Sequence, residues 1–172
     1  RVVDERGLVV ESQAISVEVA FPSARGIFRG AAAGTGGDWQ GRFGSEGYAL
    51  AGDSTNLPTQ VSLGIEGATP FTWTSTSESG ALMQANGSGR VAACWYSAET
   101  MIFDLPLTDG GLKSLTLYCL DWDGGGNRSQ RVELVDGQSG AILSSEVLTN
   151  FASGVYLTWV VRGHVQVHVT AL

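Results

Sequence analysis

The sequence predicts an all-β fold, an antiparallel β-sandwich of jelly-roll type. Three observations predict it. Apolar and polar residues alternate with period two in nearly every segment. Turn residues recur about every ten residues and divide the chain into roughly ten short strands. Gly, Thr, Ser and Val interrupt each stretch that might carry a helical period of 3.6.

Taken in order, the first regular strand is Ala14–Phe21. Ile15, Val17, Val19 and Phe21 alternate with Ser16, Glu18 and Ala20, and Leu8 to Val10 extends the pattern upstream. Pro22 ends the strand, because proline cannot donate to a ladder. A short strand follows around Phe28. Residues 30–47, "GAAAGTGGDWQGRFGSEG", read as a long Gly-rich loop. The strands "YALAG", "TQVSLGI", "FTWTS", "RVAACWY", "TMIFDLPL", "LKSLTLYCLDW", "QRVELVD", "AILSSEVL", "GVYLTWVV" and "HVQVHVTAL" come next. Asp109-Gly110-Gly111, Asp136-Gly137, Gly140 and Arg162-Gly163 separate several of them.

Two hairpins are expected, one around "GQSG" and one at Arg162-Gly163. In the last strand Val165, Val167 and Val169 share the core face, and His164, Gln166 and His168 the other. The two histidines stand about 13 Å apart along the strand, too far to share a metal. The expected organisation is an N-terminal extension, residues 1–26, and a single sandwich domain, residues 27–172.

Composition narrows the function. The chain has 172 residues, a net charge of −7 and 43% hydrophobic residues, enough for one sizeable core. An acidic chain lacks the basic face that nucleic acid or an anionic membrane requires, so neither is expected as a partner. No apolar run approaches the ~18 residues of a membrane span. Lysine is almost absent and glycine abundant, and the sequence starts at Arg1. The expected location is therefore extracellular or the cell surface.

Candidate chemistry is sparse. Cys94 and Cys119 lie inside apolar strands and read as small buried residues, with a cross-strand disulfide as the alternative. Asp121, Asp123 and Asn127 are weak calcium candidates on spacing. The alternative is that the two carboxylates bond turn amides or Arg128. No G-x-S-x-G elbow, P-loop or zinc ligand set is present, so no cofactor is implied and the chain is read as non-catalytic. Trp39 in the Gly-rich loop and Trp73 in a Thr/Ser-rich stretch are the tryptophans expected at the surface. An exposed indole can stack on a sugar ring, so these two are the possible glycan contacts.

The stretches "GGDWQGRFGSEGYALAGDSTNLP", "FTWTSTSESGALMQ", "RVAACWYS", "LTLYCLDWD" and "GVYLTWVVRGHVQVHV", in that order, resemble a family of secreted bacterial β-sandwich modules. Such modules sit beside glycan-active or Ig-like domains. The resemblance covers roughly Ile27 to Thr170 and implies a carbohydrate-binding module with a polysaccharide partner. It also implies one more apolar strand after Gly163-His164-Val165, where this chain reaches Leu172. The strand Ala14–Phe21 lies outside the module pattern. This strand could fill the gap in its own subunit or equally that in a neighbouring copy. The expectation favoured is the second, donor-strand complementation, giving a head-to-tail homo-oligomer and an extracellular filament.

Overall fold

The computed structural model describes residues 24–172, together with the backbone of two short paired strands, Val2–Val3 (β1) and Val9–Val10 (β2). The expected donor strand, with Ile15, Val17, Val19 and Phe21, lies outside the described residues. The remaining strands begin with β3 (Arg25–Ala33), β4 (Tyr48–Ala49), β5 (Thr55–Asn56), β6 (Gly64–Glu66), β7 (Thr69–Thr76) and β8 (Leu82–Met83). They continue with β9 (Arg90–Tyr96), β10 (Thr100–Pro106), β11 (Lys113–Cys119) and β12 (Ser129–Asp136). The last three are β13 (Ile142–Thr149), β14 (Val155–Arg162) and β15 (His164–Ala171). No helix occurs among the described residues, and every strand pair is antiparallel. The fold class is the all-β one that the alternation predicts.

One layer is a five-stranded sheet in the order β13-β12-β15-β10-β6. Against it lie a three-stranded sheet, β11-β14-β3, and a second three-stranded sheet, β7-β9-β8. The strands β4 and β5 form a small ribbon. The core between the layers is built by period two. Val165, Val167 and Val169 on β15 meet Leu157, Trp159 and Val161 on β14 within one buried cluster, while His164, Gln166 and His168 face away. Trp159 is fully buried and its ring lies 5.4 Å from that of Phe28. On the β3 side the layers are in close contact. A Cβ at Gly26 would meet Leu134 Cδ2 at 1.9 Å, so only glycine lets β3 approach β12 this closely.

The turn at "GQSG" is the expected hairpin, with β12 paired to β13. The one expected at Arg162-Gly163 is not a hairpin. Strand β14 pairs with β11 and β3, whereas β15 pairs with β12 and β10. Gly163, with φ 81°, carries the chain from one sheet to the opposite one. The reason lies in the burial pattern: Val161 and Val165 must both reach the same core, and strands in opposite layers satisfy that.

Candidate functional site

The layer that faces the five-stranded sheet is interrupted. Strand β11 bonds β14 along Lys113–Cys119, and its other edge has no strand partner among the described residues. Strand β9 bonds β7 on one side, and on the other β8 covers only Arg90 and Val91. Residues 92–96 of β9 therefore present a second open edge among the described residues. Both strands serve one core. Leu115 and Leu117 of β11 and Trp95 of β9 pack on it, and the Trp95 ring meets Phe103 edge-on at 5.7 Å. Between them lies a cavity of about 480 Å³. Its wall includes Leu63, Trp95, Phe103, Leu115, Leu117 and Val167. The volume is several times the ~150 Å³ left by a single engineered core truncation, which already admits a benzene ring.

Both cysteines line this cavity and neither is bridged. Cys119 is buried, and burial pushes its thiol up to about 12. At the rim, Lys113 Nζ bridges Glu46 Oε2 at 3.2 Å and Asp109 Oδ2 at 3.0 Å, a solvated network of little energetic weight.

The two expected surface tryptophans part company. Trp39 is only 6% exposed, which corrects the expectation drawn from its Gly-rich setting. Its Nε1–H donates to the Met83 carbonyl at 2.7 Å, and its ring lies 5.0 Å from Tyr48. With Leu50 and Tyr156 it forms a second small core, partly closed by Phe43, on the outer face of the β11-β14-β3 sheet. The glycines make this possible, since a side chain at Gly44 would run into the indole at 2.7 Å. A loop anchored by one large ring has no periodicity, so the sequence carries no signal of its burial.

Trp73 is 37% exposed and belongs to an aromatic cluster on the surface. Phe71 meets it edge-on at 4.9 Å, Tyr96 lies 6.5 Å from Phe71, and Trp122 lies 6.5 Å from Trp73. Trp73 and Trp122 also belong to the cavity wall. Phe71 and Tyr96 are not among the aromatics expected at the surface. The available signal was a second aromatic, Phe71, two residues before Trp73 in a Thr-rich strand; a β-bulge at Trp73 breaks the alternation there, and the two rings still meet.

Asp121, Asp123 and Asn127 stand in one turn. The Asp121 side chain is buried and accepts from the backbone N–H of Gly124 (3.0 Å), Gly126 (2.8 Å) and Arg128 (3.4 Å) and from Arg128 Nη1 (2.5 Å). Burial opposes its charge, but Arg128 and these amides outweigh it and hold the carboxyl below the usual range. Its lone pairs are directed at the protein's own donors. Asp123 is exposed and binds Arg128 Nη1 at 2.5 Å, and Asn127 Nδ2 donates to the Gly124 carbonyl. Among the described residues no three His, Cys, Asp or Glu side chains gather as a metal site.

On the outer face of the five-stranded sheet, His164 Nε2 lies 2.7 Å from Asp104 Oδ1, and Gln166 donates to the same oxygen at 2.8 Å. Gln166 Oε1 in turn lies 3.0 Å from His168 Nε2. The histidines thus belong to one half-buried polar row along two paired strands.

The chain matches no family model, no curated protein and no solved structure in the comparisons made.

Proposed function

We propose that this chain is a non-catalytic, extracellular β-sandwich subunit that self-assembles head to tail by donating its N-terminal strand to a neighbour. The carrying observation is the interrupted layer, in which an edge of β11 with no strand partner among the described residues adjoins an apolar cavity of about 480 Å³. An open edge backed by apolar surface is a template for another strand. The segment Ala14–Phe21 has the matching pattern, with Ile15, Val17, Val19 and Phe21 on one face. Repetition of such a heterologous contact does not close, so it extends a filament.

Light scattering of the full chain and of a form lacking residues 1–26 tests this. Large polymers of the full chain, whose monomer mass is 18.0 kDa, that collapse to monomers of the shortened chain on truncation are expected. A monomer in both cases rules the reading out.

A second reading rests on the aromatic cluster. Phe71 and Trp73, 46% and 37% exposed, offer apolar ring surface with Thr72 and Thr74 beside them, a composition suited to stacking on a polysaccharide. Its test is retardation in gels cast with soluble polysaccharides, comparing the wild type with Trp73→Ala. Retardation that the variant loses supports recognition, and migration that no polysaccharide alters removes it.

A further inference from the structure

We infer that the acceptor is the slot between β11 and β9, and that Ile15–Phe21 of a second copy fills it antiparallel to both strands. The filled slot would join the two half-sheets, the donor pairing with β11 along Lys113–Cys119 and with β9 along residues 92–96 only, because β8 already holds Arg90 and Val91 on that edge. This inference rests on the assembly reading and adds its geometry.

Three observations carry it. The first is continuity of the layer. Sheets β11-β14-β3 and β7-β9-β8 both pack on the five-stranded sheet through one core, yet β11 and β9 share no ladder. A strand between them would point alternate side chains at Phe103 and Leu117 and its other side chains outward. Ile15, Val17, Val19 and Phe21 fit the first set, and Ser16, Glu18 and Ala20 the second. Seven residues of β11 offer an edge of about 24 Å, the length of the seven residues Ile15–Phe21 in extended form.

The second is direction. Trp95 of β9 and Phe103 of β10 are in ring contact across eight residues, so the chain reverses between these strands. Strand β10 is antiparallel to β15. Val161 and Val165 enter one core on either side of Gly163, so β14 reverses into β15, and β14 is antiparallel to β11. Four reversals leave β9 and β11 running the same way. A strand between them can then be antiparallel to both, which keeps the sheet uniformly antiparallel.

The third is reach, which makes the donation intermolecular. Ala24 is buried, and its N–H is bonded to Asp136 Oδ2 at 2.7 Å, on the opposite sheet. Three residue steps separate Phe21 from Ala24 and span at most about 11 Å. The slot lies three strand spacings beyond β3, about 14 Å. The path would also have to pass the β10–β11 connection, which enters β11 at the end where Arg25 pairs with Arg162 and Val161 with Lys113. A copy anchored at Ala24 cannot seat its own Phe21 in its own slot, whereas a neighbour's segment meets no such limit.

Disulfide trapping tests the placement, in the full chain with Cys94→Ala and Cys119→Ala. Ser114 is exposed on the outer face of β11, near the start of the strand. An antiparallel donor sets Ala20 near it, and a parallel donor sets Ser16 there. Ser114→Cys combined with Ala20→Cys should give a ladder of disulfide-linked multimers on oxidation, and Ser114→Cys with Ser16→Cys should give none. A ladder from Ser16→Cys alone overturns the antiparallel orientation. Polymers seen by light scattering with no ladder from either pair overturn the slot while leaving strand donation standing. Loss of polymers in the background lacking both cysteines is expected of a slot that both cysteines line, provided that a reducing agent leaves the wild-type polymers intact; wild-type polymers that a reducing agent dissolves overturn strand donation. Absence of polymers from the wild type removes the assembly reading itself.

Discussion

The backbone N–H of Ala24 donates to Oδ2 of Asp136, 112 residues away, inside the protein. Asp136 also accepts from the backbone of Gln138 and Ser139 through Oδ1, at 2.9 and 2.8 Å. One carboxylate thus pins the start of β3, the end of β12 and the hairpin that leads to β13.

The first prediction concerns acid. Burial alone would raise the Asp136 pKa, but the N–H groups of Ala24, Ser139 and Gln138 outweigh it and hold the carboxyl far below its ordinary value. A group with a depressed folded pKa binds its proton more readily when unfolded. Its stabilisation is fully present above the unfolded value of about 3.9 and is lost as pH falls from there toward the folded value. Asp136→Ala should destabilise the protein by about 3–5 kcal/mol at neutral pH, because buried donors lose their acceptor. Urea melts from pH 7 down to pH 2 should show the gap between wild type and variant narrowing below about pH 4. A gap that is constant with pH would show that Asp136 acts through shape alone.

The second prediction separates the two carboxylates of the Asp-Trp-Asp triplet. Asp121 is buried and satisfies three amides and a guanidinium, whereas Asp123 holds only the exposed Arg128. Asp121→Ala should cost about 2–4 kcal/mol, and Asp123→Ala under about 1 kcal/mol. Thermal melts should place the first roughly 4–16 °C below the wild type and the second within about 4 °C. Equal losses would mean that the salt bridges, and not the turn amides, carry the effect.

The third prediction concerns Tyr156. Its ring packs between Phe43 at 4.7 Å and Tyr118 at 4.5 Å, but its buried hydroxyl has no hydrogen-bond partner among the described residues. Burial first, then the Asp38 charge, push its pKa up to about 12. Tyr156→Phe removes an unsatisfied polar atom and keeps the packing. Chemical denaturation should show stability unchanged or raised by about 1 kcal/mol. A loss of more than about 1 kcal/mol would reveal a bond to that hydroxyl.

What the sequence by itself determined is local. Val165-x-Val167-x-Val169 specifies a strand and the side that it buries, because successive side chains point to opposite faces whatever the partner. Turn residues between two alternating runs likewise mark "GQSG" as a hairpin. What only the tertiary structure decided is which edge meets which. Gly163 opens an arch between layers because both flanking strands must bury into one core, and a turn dipeptide does not encode that choice. Trp39 is buried because a sheet face 117 residues away, at Tyr156, lies under its loop. The edges of β11 and β9 that have no strand partner among the described residues belong to this second class, since strand pairing depends on contacts remote in the chain. Alternation is a property of each strand's own backbone, whereas pairing is a property of the assembled layers.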